Sequence, residues 1–326
     1  MKILITGGYG FFGFHLAKAF SQQNHEITLI DIKSEADFDN DFRELLTKDN
    51  VRYLEVNLLD KNFGKILEKD YSHIIHLAAL LGVQNVLDNP FKVLSANFEM
   101  LLNVISYINH FKNKPILFFA STSEIYSGTL LAGKLEFPTS ENSQLILPDL
   151  SLPRTSYMLS KIYGEALCQS CNFHTIILRP HNLYGPRMGM KHVIPQLIKR
   201  IHNTNINGTL GVYSPNHKRT FCYINDAVNQ VYKLINNEIS RNDIFNLGNQ
   251  KIEISMKELS LRLLKIMKRE DIKIIDLENT EGSPIRRLPS TYKIDNRTNI
   301  KTRTSLETGL NETFSWYFQN KDNYLN

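Results

Sequence analysis

The stretch that decides the fold is KILITGGYGFFG at residues 2–13, in which a short apolar run ends in a cluster of glycines. The run before the glycines is predicted to be a buried strand, and the run after them a helix. Gly7 permits a tight turn, Gly10 lets the backbone approach a pyrophosphate, and Gly13 lets helix and strand pack closely. The amino end of the helix would offer free N–H groups to phosphates. This order predicts a dinucleotide-binding loop.

Short apolar runs alternate with helical patterns through the first half of the chain. Such an alternation predicts a parallel sheet covered on both faces, an α/β doubly wound fold that binds ligands at the carboxyl ends of its strands. Beyond Tyr126 the pattern loosens, and Ser127–Pro153 is predicted to be a long loop. The predicted strands are Lys2–Thr6, Glu26–Asp31, Val51–Val56, His73–Ala78, Pro115–Ser121 and His174–Arg179, and the predicted helices are Phe11–Gln22, Phe42–Thr47, Asn62–Glu68, Phe91–Phe111 and Ser156–Cys171.

The length of 326 residues exceeds what a single core usually supports, so we expect two parts. Residues 1–180 are predicted to form the Rossmann-type dinucleotide-binding domain. Residues 181–326 are predicted to form mainly a smaller, mixed substrate-binding lobe, with some segments returning to the first domain. The elements predicted there are the helices Val193–His202, Asn225–Asn236 and Ser255–Lys268 and the strands Thr209–Tyr213 and Asp243–Leu247.

Composition excludes several classes of protein. Hydrophobic residues make up 42% and charged residues 22%, which are globular values rather than those of a disordered chain. No apolar run is long enough for a membrane span, and the glycine-rich N-terminus lacks a signal-peptide cleavage site, so we expect a cytoplasmic protein. The net charge of +5 is not concentrated in basic runs, which speaks against nucleic acid and suits an anionic small ligand. The histidine and cysteine spacings do not predict a metal site.

Asp31 ends the strand that follows the first helix. Its carboxylate would accept hydrogen bonds from both hydroxyls of an adenosine ribose and would repel a 2′-phosphate. The sequence therefore favours NAD over NADP, although Lys33 nearby weakens that preference. The alternative is a glycine turn followed by a solvated aspartate.

Tyr157 and Lys161 lie four residues apart and are predicted to share one helix face. A phenol with a pKa of about 10 is a poor base at neutral pH. A neighbouring ammonium and a cationic nicotinamide would both favour the phenolate, which could then remove a hydroxyl proton. We therefore predict Tyr157 as the base of an alcohol oxidation and Lys161 as a residue that holds the nicotinamide ribose.

The sequence resembles the extended short-chain dehydrogenases/reductases of the nucleotide-sugar epimerase/dehydratase superfamily. The resemblance covers nearly the whole chain. It implies NAD as cofactor, a nucleoside-diphosphate sugar as substrate, and a homodimer that pairs the helices Phe91–Phe111 and Ser156–Cys171. The motifs that carry it are TGGYGFFG at 6–13, HLAA at 76–79, Asn97, ASTSEIY at 120–126, YMLSK at 157–161, RPHNLYGPRMG at 179–189, RTFCYINDA at 219–227 and NLGN at 246–249.

The same resemblance assigns further site residues. Thr122 would bond the sugar O4 beside Tyr157, while Arg219 and Arg287 would clamp the diphosphate. The remaining substrate positions are Asn182 at the phosphates and Val193 and Tyr213 at the nucleobase. The remaining cofactor positions are Phe11, Phe12, Asn57, Leu58, Leu77, Ala78, Ala79, Asn97 and Pro180.

The resemblance implies oxidation of the sugar C4 to a ketone, after which the sugar is epimerised, dehydrated or decarboxylated. The order STSE at residues 121–124 places Glu124 two residues after Thr122. This order resembles UDP-glucuronate decarboxylases and GDP-mannose 4,6-dehydratases more than plain 4-epimerases. We therefore expect decarboxylation of a UDP-glucuronate-type sugar, with 4-epimerisation and 4,6-dehydration as alternatives. Glu124 could instead cap or solvate a loop. His181 could act as an acid or base, but a packed, neutral ring is favoured.

Two other classes of function fit these residues less well. A non-catalytic NAD(H)-sensing regulator would not need the hydroxyl, phenol and ammonium of Thr122, Tyr157 and Lys161 together. An oxidoreductase acting on a free small alcohol would not need Asn182 and the two arginines.

Overall fold

Strands and helices alternate along the computed structural model, which describes residues 1–237, 242–280, 282–300 and 304–325. The strands are β1 (Lys2–Thr6), β2 (Glu26–Asp31), β3 (Val51–Glu55), β4 (His73–His76), β5 (Ile116–Ala120), β6 (Thr175–Pro180), β7 (Leu183–Tyr184), β8 (Thr209–Val212), β9 (Lys218–Thr220), β10 (Cys222–Tyr223), β11 (Asp243–Leu247), β12 (Glu253–Ser255), β13 (Lys273–Asp276) and β14 (Arg286–Arg287). The helices are α1 (Phe11–Ser21), α2 (Asn40–Leu46), α3 (Val83–Asp88), α4 (Pro90–Asn109), α5 (Ser127–Leu131), α6 (Pro153–Gln169), α7 (Val193–Asn203), α8 (Ile224–Ile235), α9 (Met256–Ile266), α10 (Tyr292–Thr298), α11 (Leu306–Gln319) and α12 (Lys321–Tyr324).

The central sheet has seven parallel strands in the order β11-β6-β5-β4-β1-β2-β3. The chain runs outward from β1 to β3 and then crosses over to place β4 on the other side of β1. Thr6 at the end of β1 pairs with Ile30 of β2 on one side and His76 of β4 on the other. Ligands of such sheets bind at this reversal of strand order, at the carboxyl ends of the strands. The predicted Rossmann-type fold is confirmed.

The two faces of the sheet carry separate hydrophobic cores. Ile3 and Ile5 pack with Phe20 of α1 in one core, whereas Leu4 packs with Val104 of α4 in the other. Successive side chains of a strand point to opposite faces, so a continuous apolar strand can be buried only when helices cover both faces.

Part of the C-terminal half belongs to the central sheet. Strand β11 pairs in parallel with β6, and the remaining C-terminal strands form three small sheets, β7 with β10, β8 with β13, and β9 with β12 and β14. The functional division between residues 180 and 181 stays a prediction. No helix within the described ranges is both long and apolar enough to cross a membrane.

Two predicted elements are wrong in detail. The segment predicted as the helix Asn62–Glu68 forms only a short 3-10 turn, Phe63–Ile66, since Gly64 in its middle disfavours a helix and packs under the ring of Tyr107. The segment predicted as a long loop, Ser127–Pro153, begins with the short helix α5. Gly128 in α5 has no β-carbon and so allows the backbone of Ile146 to approach.

Candidate active site

The glycine loop lies against the chain that follows β4. Gly7 has a φ of +70°, and a β-carbon there would lie 2.8 Å from the backbone nitrogen of Ala78. A β-carbon on Gly13 would lie 2.4 Å from the carbonyl oxygen of Gly7. Side chains are thus excluded at both positions, as the sequence predicts, and the backbone is exposed to a ligand at the end of β1.

The amino end of α1 is suited to a diphosphate. Gly10 precedes the helix, and among the described residues no side chain caps it; its first turn, which begins with Phe11 and Phe12, contains no acidic residue. Uncapped N–H groups and the positive end of the helix dipole favour an anion. The glycine cradle and the uncapped helix together fit the diphosphate of NAD.

Asp31 is held at the end of β2 by two backbone N–H groups. Tyr9 donates to its Oδ2 at 3.2 Å and Ile32 to its Oδ1 at 2.8 Å. The pKa of Asp31 is raised, because the effect of burial exceeds the opposite effects of these hydrogen bonds and of Lys33. Each carboxylate oxygen keeps a second lone pair, so the side chain can still accept from ribose hydroxyls.

The other predicted cofactor residues also follow strand ends. Thr6 accepts the N–H of Ala78 at 3.2 Å, which fixes the segment that contains Leu77 and Ala79. Beyond β3, Asn57 accepts the N–H of Leu59 at 3.0 Å, and the neighbouring side chain of Leu58 is buried.

Asn97 on α4 uses its amide within the protein. Its Oδ1 accepts from Leu80 N at 2.6 Å, and its Nδ2 donates to Leu80 O at 3.0 Å and to Ser160 Oγ at 3.3 Å. The side chain therefore ties the loop after β4 to α6. A direct contact between Asn97 and the cofactor stays a prediction.

Tyr157 is partly buried near Thr122 and Glu124. Burial and the Glu124 carboxylate raise the pKa of Tyr157 to about 12, although a hydrogen bond with Thr122 lowers it. The predicted lowering of this pKa by Lys161 is wrong for the protein alone, because Lys161 Nζ lies 5.9 Å from the centre of the phenol ring and donates instead to Ala120 O at 2.7 Å. Within the protein alone, the hydrogen bond with Thr122 lowers the pKa of the phenol but does not offset burial and Glu124.

Lys161 shares a face of α6 with Tyr157, as predicted. Burial lowers the pKa of Lys161 to about 8, with Cys168 and Glu165 acting in the opposite direction. Its Nζ also lies 4.9 Å from the centre of the Phe119 ring. An ammonium placed between a carbonyl and two rings keeps N–H groups available for a ribose.

Glu124 forms an ion pair with Arg287, a residue predicted to bind the diphosphate. Ser127 donates to the other carboxylate oxygen of Glu124 at 3.1 Å. Burial would raise the pKa of Glu124, but Arg287 and Ser127 outweigh it and the pKa is lowered. Glu124 is therefore a partly buried, ionised carboxylate near the phenol of Tyr157, and it is held in an ion pair.

The two predicted clamp arginines are neighbours. Arg219 of β9 pairs in register with Arg287 of β14. Arg219 donates to Ser283 Oγ at 3.2 Å and to backbone carbonyls, and burial together with Arg287 lowers its pKa to about 10. Two neighbouring guanidinium groups, of which only Arg287 pairs with Glu124 among the described residues, favour an added anion.

The remaining predicted substrate residues lie around this pair. Asn182 follows β6 and Pro180 with a φ of 42° and donates to Thr220 O at 2.9 Å, beside Arg219. Val193 begins α7 and is 37% exposed, and Tyr213 follows β8 and is 51% exposed. Contact of these two side chains with a nucleobase stays a prediction.

A buried polar network under the site escaped the sequence analysis. Arg179 donates to both oxygens of Glu165, and Ser121 donates to the same carboxylate at 2.5 Å. Arg179 also donates to Tyr126, whose hydroxyl donates to Asn246. The position of Glu165, four residues after Lys161, was the available signal, since it places a carboxylate on the same face of α6.

His181 is joined to this network through Nε2, 3.1 Å from Asn246 Oδ1, and is 3% exposed. Burial lowers its pKa to about 3, so the ring is neutral, as the sequence favours. The described residues contain no cluster of three or more His, Cys, Asp or Glu side chains able to hold a metal ion.

Residues 3–248 match the family described as NAD dependent epimerase/dehydratase. The chain belongs to this family. This membership confirms the predicted superfamily and its cofactor, NAD, and makes the protein an enzyme. Its curated relatives include a UDP-N-acetyl-alpha-D-glucosaminuronate decarboxylase of Bacillus cytotoxicus, 29% identical over 97% of this chain and 97% of that protein. They also include a UDP-glucuronic acid decarboxylase 1 of Xenopus tropicalis, 28% identical over 100% of this chain and 74% of that protein.

Solved structures share the fold of this epimerase/dehydratase family member. A UDP-glucuronic acid 4-epimerase of Bacillus cereus, in complex with UDP-glucuronic acid and NAD, superimposes with a TM-score of 0.84 over 98% of this chain and 100% of that one, at 22% identity. A dTDP-glucose 4,6-dehydratase of Streptomyces venezuelae, with NAD bound, superimposes with a TM-score of 0.84 over 99% of this chain and 98% of that one, at 19% identity.

Proposed function

We propose that the protein decarboxylates a UDP-glucuronate-type nucleotide sugar through a transient 4-keto intermediate. The observation that carries the proposal is the partly buried ion pair of Glu124 and Arg287 near the phenol of Tyr157. A charged pair of this kind offers a cation for a substrate anion and a carboxylate for proton transfer. The decarboxylases among the curated relatives support the same reaction.

Oxidation at C4 begins at Tyr157. NAD, when bound, supplies the acceptor for the C4 hydrogen and returns that hydrogen at the end of the cycle. The phenolate of Tyr157 takes the C4 hydroxyl proton, and the hydroxyl of Thr122 holds O4 in place. Because burial and Glu124 raise the pKa of the phenol to about 12, the phenolate requires the positive charge of the nicotinamide.

Loss of carbon dioxide follows from the ketone. The C5–C6 bond breaks, its electron pair forms the enolate of the C4 ketone, and the carboxylate leaves as CO₂. A proton must then reach C5. If Arg287 turns from Glu124 to a substrate anion, Glu124 loses the strongest interaction that lowers its pKa. The pKa then rises through burial, so that this carboxyl can carry the proton delivered to C5.

The deciding experiment is incubation of the purified protein with UDP-glucuronate, UDP-glucose, UDP-N-acetylglucosamine and GDP-mannose, followed by mass spectrometry and NMR. Decarboxylation removes CO₂ from UDP-glucuronate, dehydration removes water, and 4-epimerisation inverts C4 at unchanged mass. Either of the last two outcomes, without loss of CO₂, refutes the proposal.

The role of Glu124 has its own test. Glu124→Gln keeps the size of the side chain but removes its proton-transfer capacity, and should lower the rate of CO₂ release by about 10²- to 10⁴-fold. Oxidation at C4, followed by the absorbance of reduced nicotinamide, should persist. Glu270→Gln, on an exposed glutamate, is the matched control. A fully active Glu124→Gln variant would exclude the role.

We also propose that the protein acts as a homodimer through α4 and α6. These helices pack against each other and carry exposed apolar residues, Phe91 at 84%, Leu102 at 38% and Tyr163 at 48% exposure. Burial of these side chains against a second copy would remove them from water. A cytoplasmic location fits the three free cysteines, and no nucleic-acid or membrane partner is proposed.

A further inference from the structure

Arg187, in the loop after β7, reaches the glycine loop of the other half of the chain. The guanidinium lies 4.6 Å, 4.5 Å and 5.6 Å from the ring centres of Tyr9, Phe14 and Phe42. Its Nη1 donates to Tyr9 O at 2.8 Å, and its Nε donates to Asp39 Oδ2 at 2.7 Å. The side chain is only 5% exposed. This buried cation is therefore held by residues of the dinucleotide-binding half.

The backbone around Arg187 is held by hydrogen bonds from two helices. Arg187 has a φ of 66°, a left-handed conformation that is unfavourable for a residue with a β-carbon. His15 of α1 donates to the carbonyl of Pro186 at 2.9 Å, and Tyr317 of α11 donates to the carbonyl of Met188. Strained residues persist where surrounding contacts over-determine them, commonly at functional sites.

The groups that Arg187 holds adjoin residues predicted to bind the cofactor. Tyr9 stands in the middle of the glycine loop, and its N–H donates to Asp31 Oδ2 at 3.2 Å. Asp39 caps α2 by accepting from Phe42 N at 2.9 Å. A shift of the Tyr9 backbone would thus move both the phosphate loop and the ribose-binding carboxylate.

We propose that Arg187 is a positioning residue for NAD, which fixes the Tyr9 backbone so that the glycine loop and Asp31 are preorganised for the cofactor. The inference rests on the proposed placement of NAD at this loop, but not on decarboxylation. Arginine suits the position because its planar fork can lie against aromatic rings while donating sideways to a carboxylate and a carbonyl. Lysine would keep the charge but lose the second directed hydrogen bond.

The test measures NAD binding rather than turnover. Arg187→Met and Arg187→Lys are purified, their NAD content is measured, and the dissociation constant of NAD is determined by calorimetry after the cofactor is removed. Arg187→Met should raise that constant by about 10- to 100-fold, the loss usually seen when outer-shell partners of a site are removed, and Arg187→Lys by less. The control is Arg269→Met, since Arg269 is similarly tied, to Asp271 at 3.0 Å and Ile201 O at 3.0 Å, outside the glycine loop.

Two results would overturn the proposal: an Arg187→Met variant with wild-type NAD affinity, or an Arg269→Met variant that loses as much affinity at a similar melting temperature. If Arg187→Met does not fold, Asp39→Asn decides, because it removes the ion pair while keeping a side-chain oxygen for the α2 cap. Unchanged NAD affinity in Asp39→Asn would also overturn it. Asp31→Asn tests separately whether NAD binds at the glycine loop. An unchanged NAD affinity in Asp31→Asn would refute that site, whereas decarboxylation is tested by the incubation with nucleotide sugars.

Discussion

Replacing Glu165 by glutamine should destabilise the protein strongly. Arg179 and Glu165 form a two-pronged ion pair, with N–O distances of 2.9 Å and 2.7 Å and side chains only 4% and 6% exposed. In Glu165→Gln the guanidinium loses its ion pair and donates only to neutral groups, namely the glutamine oxygen, Tyr126 and the carbonyl of Glu141. Breaking a buried pair from one side costs about 3–5 kcal/mol. We expect the free energy of unfolding to fall by that amount.

The measurement is urea denaturation followed by circular dichroism, with the slope against urea unchanged between variants. The matched control is Glu307→Gln, which breaks an exposed pair with Arg262 and should cost at most about 1 kcal/mol. The double variant Glu165→Met, Arg179→Met removes both charges and should recover most of the loss, because apolar replacement of a buried pair is often neutral. A loss below about 1 kcal/mol in Glu165→Gln would refute the reasoning.

Three further outcomes are expected. Lys161→Met should stabilise the cofactor-free protein by about 1–3 kcal/mol at pH 7, because burial lowers the pKa of Lys161 from 10.5 to about 8. Between about pH 8 and 10.5 the Lys161 amine is protonated in the unfolded chain but neutral in the folded protein, so the stability of the wild type rises with pH in this range. Urea denaturation at several pH values should therefore show the stability difference between Lys161→Met and the wild type shrinking there. Gly13→Ala should weaken NAD binding in calorimetry, because its β-carbon would lie 2.4 Å from a carbonyl oxygen, whereas Gly189→Ala, with 3.6 Å to its nearest neighbour, should bind normally. Leu102→Glu on α4 should yield monomers in light scattering, whereas Leu261→Glu on the exposed face of α9 should not; equal behaviour of the two would count against the proposed dimer.

Elements with strong local patterns were predictable. The bounds of β1, β2 and β11 agree with the prediction, since continuous apolar runs flanked by turns are typical of buried parallel strands. Helix α6 begins at Pro153, three residues before its predicted start, because proline is well tolerated in the first turn of a helix. Strands β7, β10 and β14 have two residues each and carry no periodicity that a sequence could reveal.

The roles of the site side chains were also predictable from the sequence only in part. The i, i+4 spacing of Tyr157 and Lys161 determines that they share a helix face. Their ionisation does not follow from that spacing, because burial and the carboxylate of Glu124 control the pKa of the phenol. The sequence assigned Glu124 and Arg287 to different tasks, and only the fold places them in contact across 163 positions of the chain.

Local order along the chain therefore determined the dinucleotide loop, the alternating strands and helices, and the family. These features depend on residues close in sequence, whose backbone preferences and hydrophobic spacing act over a few positions. Tertiary structure alone decided the Glu124–Arg287 pair, the Arg179–Glu165 network and the contact of Arg187 with Tyr9, 178 positions away. Coulombic and desolvation energies depend on distance and burial in space, and these become defined only when the sheet and its covering helices have packed.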